Sequence, residues 1–396
     1  MMSYALGAVK KTKLFLHIGH GKTGTSAVQS SLAIASGKLL ERGINYPIHP
    51  SLRDRSSQLE ITSGNWAPNS EVNLTQELLT LANNNQSAPS IILSSESLFW
   101  LVPELIQNKG NWENIIDLHI ILAVREIEEM LSSEYQQRVK RHGDAMPLEQ
   151  FLRARHFVSS HHAKAAEVIE LMNHSNITYT IINYSKHKQD ISKLIFKFIG
   201  AEDLYPTEKM AGAIINRSLS RKELEILITI NALYFSKFPW ISTKISDVLI
   251  NKQPKLQAQQ CKISQEHLQR VYEINNDHLQ VINASLKETE QLTSLSNRKQ
   301  EEAQEHSPEE LQRIGDEEKI SVDLIADTLC QALVYGKSSK RQLSNDTVDA
   351  IIKLSQSKNV SKTTEVELLE VAKENRPQGK KLAKLLERAR KALSKL

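Results

Sequence analysis

The amino-acid sequence predicts an α/β protein: a three-layer domain on a mainly parallel sheet of about five strands, followed by a helical appendage. Three observations predict it. Short apolar runs alternate with segments of helical periodicity through the first part of the chain. A glycine-rich turn joins the first such run to the first helix. Beyond about residue 250 the strand signal stops and helical patterns take over. At 396 residues the chain is long enough for one generous α/β domain and something smaller.

Residues 13–19 (KLFLHIG) form an apolar run flanked by lysines and closed by glycine, the pattern of a buried parallel strand. From Ser26 to Ala35, the residues Val28, Leu32 and Ala35 recur at helical spacing. Residues 50–75 lack periodicity and are rich in turn formers, so they are expected to be a long loop of the kind that covers substrates. Ile91–Leu93, Leu118–Val124 and Thr178–Asn183 are further strands, each followed by a polar turn and a helical pattern. Leu268, Val271, Leu279 and Ile282 mark a helix within 264–286. Residues 287–319, mostly Glu, Gln, Ser and Lys, read as a linker or solvated helix. Helical segments follow near 320–335, 345–356 and 364–374, then a basic end from Arg376. The expected division is therefore a nucleotide-binding domain over 1–286, a linker over 287–319 and a helical region over 320–396.

Charge and cysteine content exclude several classes. The net charge is +4 with acids and bases nearly balanced, which gives no global reason to expect nucleic acid as a partner. Cys261 and Cys330 offer neither a disulfide framework nor metal-ligand spacing and fit a reducing compartment. No secretion signal or membrane-length apolar run is evident, so a cytoplasmic location is expected.

The chemistry concentrates in Gly19-His20-Gly21-Lys22-Thr23-Gly24-Thr25-Ser26, between the first strand and first helix. Three glycines let the backbone turn tightly, so that consecutive N–H groups point at an anion. The helix N-terminus, Lys22 and the hydroxyls of Thr25 and Ser26 add positive charge and donors. This is a P-loop-like cradle for phosphate or phosphosulfate. It is not a Walker A loop, because counting back five residues from Gly21 lands on Leu16, inside the strand. The later strand ends in Arg125, where a Walker-type site would carry a Mg²⁺-binding acid. His20 is expected to be a solvent-exposed loop residue without a chemical role.

FLHIGHGKTGTSAVQSSLA resembles the 5′-phosphosulfate loop of sulfotransferases that use 3′-phosphoadenosine 5′-phosphosulfate (PAPS), most closely bacterial carbohydrate-type members; the resemblance covers about residues 12–285. It implies that Lys22 contacts the oxygen bridging phosphate and sulfate. Gly21, Thr23, Gly24, Thr25 and Ser26 would bind at the 5′-phosphate. IILAVREIEEMLSSEYQQ, with Ser133 eight residues after Arg125, is similar to the family's 3′-phosphate motif, which gives Arg125 and Ser133 that ligand. A planar guanidinium can hold phosphate oxygens bidentately. Tyr184 matches a family tyrosine near the adenine, or simply caps the core. Ile215–Leu219 (INRSL) resembles a late Asn-x-Ser-Leu element whose Arg217 would also reach the 3′-phosphate.

Glu96, after the strand at 91–93, is the candidate general base, with a helix-capping role as the alternative. Arg138, Lys140, Arg141 and His142 would either meet an acidic acceptor or form a solvated helix end. Trp66, Trp100 and Trp112 are candidates for a sugar platform or for packing. The end of the chain sets Leu382, Leu385, Leu386, Ala389 and Leu393 on one face among eight Lys or Arg and one acid, Glu387; this helix would dock on a partner or anionic membrane, or on the chain's own core. The resemblance implies metal-independent, in-line transfer of sulfate from PAPS to an acceptor hydroxyl, on a saccharide or glycan, leaving the desulfated nucleotide PAP. A P-loop-type small-molecule kinase or NTPase, or a non-catalytic nucleotide-binding assembly protein, is the alternative.

Overall fold

The computed structural model describes residues 11–60, 62, 64–67, 73–85, 88–212, 217–236, 238–252, 256, 261–295, 345–356, 360 and 362–394. Five parallel strands form one sheet: β1 (Thr12–Gly19), β2 (Ile44–Asn45), β3 (Ser90–Ser94), β4 (Ile116–Val124) and β5 (Thr178–Asn183), in the order β2-β3-β1-β4-β5. Leu16 at the centre pairs with Leu93 on one side and Ile120 on the other, and all three are essentially without solvent exposure. That burial on both faces explains why these strands read as continuous apolar runs. The two-residue β2 carries too little pattern to be seen in the sequence.

The helices of this part are α1 (Thr25–Glu41), α2 (Pro50–Ser57), α3 (Leu74–Asn84), α4 (Glu96–Gln107), α5 (Ile127–His142), α6 (Leu148–Arg153), α7 (Arg155–His174), α8 (Ile191–Phe198), α9 (Thr207–Met210), α10 (Arg221–Tyr234), α11 (Ile241–Lys252) and α12 (Gln265–Ala284). Val28, Leu32 and Ala35 of α1 pack with Phe15, Ile92, Ile121 and Ile182 of the sheet and with Ile191, Ile195 and Phe196 of α8. Elsewhere α4 packs on β1 and α7, and α7 on α12.

Two expectations change. Residues 50–75 are not one long loop, because α2 opens at Pro50 and α3 at Leu74. Pro50 occupies the first helical turn and His49 caps it by accepting from the Ser51 N–H, while the helix buries only Ser56. A helix without an apolar face leaves no periodicity to read. Of the expected linker, residues 287–289 are exposed but the chain is tied down just beyond them: Leu292 is buried, its N–H donates to Asn283 Oδ1 at 2.7 Å, and Thr293 N–H donates to both Glu126 carboxylate oxygens at 3.0 and 3.3 Å. Residues 296–319, Cys330 and the helix expected near 320–335 lie outside the described residues.

The chain divides into two compact units. The first comprises Met1–Gln136, Pro147–Ser218 and Pro254–Glu305; the second Gln137–Met146, Leu219–Gln253 and His306–Leu396. In the second, α13 (Asn345–Ser355), α14 (Lys362–Asn375) and α15 (Lys380–Leu393) enclose a core of Val348, Ile351, Val366, Leu369, Ala372, Leu382, Leu386 and Ala389. The apolar face of the basic C-terminal helix is thus spent on its own neighbours. The basic cluster at the end of α5 is also internally matched: Arg138 pairs with Asp144 at 3.1 Å, Arg141 with Asp247 at 2.8 Å, and Lys140 is buried rather than solvated.

Candidate active site at the carboxyl ends of β1 and β4

Adjacent parallel strands β1 and β4 end side by side, and their following loops meet where open α/β sheets hold ligands. The loop after β1 is held open by left-handed backbone at Lys22 (φ 73°) and Gly24 (φ 76°). A lysine in this region is strained, and such strain concentrates at functional turns. Two left-handed residues separated only by Thr23 turn successive N–H groups toward a common concavity. Gly24 has a second reason to be glycine: a Cβ there would sit 2.6 Å from Tyr184 Cε2. A Cβ on Gly21 would meet nothing, so the space over the loop is open.

The loop's hydroxyls divide. Thr23 is buried and its Oγ1 donates to His20 O at 2.9 Å, so only its backbone N–H remains for a ligand. Thr25, the first residue of α1, is buried with no hydrogen-bond partner for Oγ1 among the described residues. Gly24 caps α1 without a side-chain bond, leaving the helix N-terminus to an anion.

Arg125 lies against this loop. Its Nη1 donates to Lys22 O at 2.8 Å, its Nε to Glu129 Oε2 at 3.1 Å, and its guanidinium stands 5.3 Å from the Tyr184 ring centroid. Those two bonds use one hydrogen of Nη1 and the Nε–H, so the second Nη1–H and Nη2 can still grip phosphate oxygens together. Glu129 also takes Lys188 Nζ at 2.6 Å and the Ser185 hydroxyl at 3.0 Å. Burial works to raise the Glu129 pKa, but Lys188 and Arg125 outweigh it and hold the carboxyl below its ordinary value. Ser133 is half-buried on α5, one turn beyond Glu129 and on the same helical face. Arg217 is buried with Nη1 on Ser218 O at 3.0 Å; residues 215 and 216 of its element lie outside the described set.

His20 corrects the expectation of an exposed loop histidine. It is 0% exposed, and its Nε2 accepts the Arg125 backbone N–H at 3.1 Å. His162 of α7 donates Nε2–H to the Arg125 carbonyl at 2.9 Å. Two imidazoles therefore clamp the two polar groups of one residue, which fixes Arg125 at the strand end. His20 must be neutral to accept, whereas His162 can donate whether neutral or protonated. Burial pushes His162 down to about 4 and His20 well below the usual imidazole range, with neighbouring histidines adding to the effect.

Neither His161 nor His162 was singled out from the sequence. His162 had a readable signal: it shares a helical stripe with Val158, Ala165, Ala166 and Ile169, all buried. His161 sits one step off that stripe, half-buried, with its ring 5.6 Å from His20 and 5.9 Å from Trp100.

Glu96 is exposed in the first turn of α4, where a carboxylate favours the helix dipole, and its charge also acts on His161. Both expected roles therefore remain physically available to it. The tryptophans separate: Trp112 is buried with Nε1 on Leu105 O at 2.9 Å, Trp66 is tied to Glu77 at 2.7 Å, and Trp100 is 50% exposed. Trp100 alone of these three presents an open face.

No family model matches the chain, and no curated protein matches it. Among solved structures it is similar to retinol dehydratase in complex with androsterone and the inactive cofactor PAP, at TM-score 0.26 and 10% identity, covering 68% of this chain and 81% of that one. A likeness at that score carries no weight for function. Among the described residues no helix is long and apolar enough to cross a membrane.

Proposed function

We propose that the chain transfers a sulfuryl group from PAPS to an acceptor hydroxyl, without a metal ion, using the joined ends of β1 and β4. The observation that carries this reading is the 2.8 Å hydrogen bond from Arg125 Nη1 to Lys22 O, which makes the glycine loop and the arginine-bearing strand end one site. A donor with two separated phosphate groups fits such a pair of cationic cradles. The orphaned Thr25 hydroxyl and the open space over Gly21 suit an anion at the loop.

In this reading Gly21, Lys22, Gly24, Thr25, Ser26 and the Thr23 N–H hold the 5′-phosphosulfate, and Lys22 stabilises charge growing on the departing oxygen. Arg125 and Ser133 hold the 3′-phosphate, joined by Arg217. Tyr184, wedged between Gly24 and Arg125, lies beside the adenosine. PAPS supplies the sulfur centre and a leaving group already esterified as phosphate. The acceptor class that suits an open tryptophan face is a saccharide.

Calorimetric titration with PAP tests the reading. Binding of PAP that Lys22→Ala or Arg125→Ala weakens at least tenfold is expected, together with transfer of label from PAPS to a methyl glycoside. Binding of ATP with Mg²⁺ in place of PAP would move the chain to the kinase or NTPase class. PAP binding with no label transferred to any acceptor or to water would leave a non-catalytic nucleotide-binding protein.

A further inference from the structure

One side of the site is unused by the donor groups above. His161 projects from α7 beside His20 of the loop, at 5.6 Å between rings, and beside the open face of Trp100, at 5.9 Å. Its Nδ1 meets Ser160 Oγ at 3.3 Å; Nε2 has no hydrogen bond among the described residues. It is half-buried, so a solute can reach it. The groups facing it come from four elements: Glu96 and Trp100 of α4, Glu134 of α5, His20 of the loop and His162 of its own helix. A reachable imidazole with one free nitrogen, next to a phosphate loop and an exposed indole, has what a proton acceptor needs.

We propose that His161, and not Glu96, takes the proton of the acceptor hydroxyl, with the acceptor's ring lying on Trp100. This rests on the sulfuryl-transfer reading. In the step, the acceptor oxygen forms a bond to sulfur as the bond from sulfur to the bridging phosphate oxygen breaks. The electron pair of that bond leaves with PAP, and the hydroxyl proton passes to Nε2. The resulting imidazolium faces the carboxylates of Glu134 and Glu96, which stabilise it as positioning residues. Burial keeps His161 below its ordinary pKa, and those carboxylates pull the other way. The free base therefore predominates at neutral pH, and the rate falls on the acid side as His161 protonates.

The test uses the full chain, labelled PAPS and simple methyl glycosides, with release of labelled sulfate to water as the readout where no glycoside accepts. His161→Asn and His161→Gln are expected to lower kcat by roughly 10²–10⁴-fold and to erase the acidic limb of the pH profile. PAP affinity should stay within twofold, which also shows that each variant is folded. Added imidazole should restore His161→Ala at least tenfold. Glu96→Gln should cost less than tenfold, and Trp100→Ala should raise KM more than it lowers kcat. Independently of turnover, the His161 imidazole resonance, assigned by its loss in the variants, should titrate at higher pH once PAP brings negative charge beside it.

Retention of more than a third of kcat by His161→Asn, a larger loss in Glu96→Gln, or a resonance unmoved by PAP overturns the assignment while leaving PAP binding intact. A wild-type chain that binds no PAP overturns the underlying reading, and the assignment with it.

Discussion

The ends of β1 and β4 and the three C-terminal helices are both built from well-packed elements, but they bury different things. The helices α13–α15 enclose aliphatic side chains and one hydroxyl, Ser355, which donates to Ile352 O at 2.7 Å. Around the strand ends, in β1, its following loop, the first turns of α1 and the end of β3, the residues His17, His20, Thr23, Thr25, Gln29, Ser30 and Ser94 are all buried. Four of these, His17, Thr25, Gln29 and Ser30, keep a polar atom without a partner among the described residues. Each such atom costs about 1–3 kcal/mol. A fold that needed only stability would have filled that volume as the C-terminal helices fill theirs. On the proposed reading, the polar burial at the strand ends is where stability has been given up for a site.

The largest expected effect separates the two regions by pH. Burial lowers His17 and His162 to about 4, against about 6.5 for an exposed imidazole. Because the folded values are depressed, stability is fully present above about pH 6.5 and is lost as pH falls through the window down to about 4. The loss is on the order of 3 kcal/mol for each histidine. Residues 345–394 contain no histidine and have no such linkage. Hydrogen exchange at pH 7 and pH 4.5 should show protection falling in β1 and α7 much more than in α13–α15. Equal loss in both would break the comparison.

The second effect is local. Gly24→Ala forces an alanine into φ 76° and places its Cβ 2.6 Å from Tyr184 Cε2. The strain is about 1–3 kcal/mol, and Tyr184 must shift from beneath Arg125. PAP affinity should fall tenfold to a hundredfold, whereas Gly21→Ala leaves the loop itself unstrained, since its Cβ meets open space, and should weaken PAP only by taking up room given to the anion. Calorimetry on both variants sharpens the distinction between a glycine required by the loop and one required by the ligand.

Much of this was legible because the driving pattern was local. The four longer strands and α1 follow from apolar runs and period, and Val28, Leu32 and Ala35 all turn inward. The tight turn between β1 and α1 follows likewise, because glycines, a lysine and a helix start fall in one short stretch. The rest depends on contacts across long sequence separations. His20 looked like a loop residue until Arg125, 105 positions away, placed its N–H on the ring. His161 and His162 reach the site only because α7 packs against α4, and no local spacing records that. The helix α2 was hidden for the opposite reason, since it buries almost nothing.

The smallest expected effect concerns Glu129, an acid beside the proposed anion site. Its carboxylate holds Arg125 Nε at 3.1 Å and Lys188 at 2.6 Å, both partly shielded from water. Glutamine at this position keeps an oxygen for Nε but removes one negative charge near an incoming phosphate. Arg125 stays anchored through Lys22 O and the clamp of His20 and His162, so orientation should survive the change. Glu129→Gln is then expected to raise PAP affinity two- to fivefold, about 0.4–1 kcal/mol, with the gain shrinking as salt is added. A loss of more than tenfold would mean that the carboxylate orients the guanidinium more firmly than the backbone clamp does. Polar burial at the strand ends would then have been given up for Glu129 as much as for the two histidines.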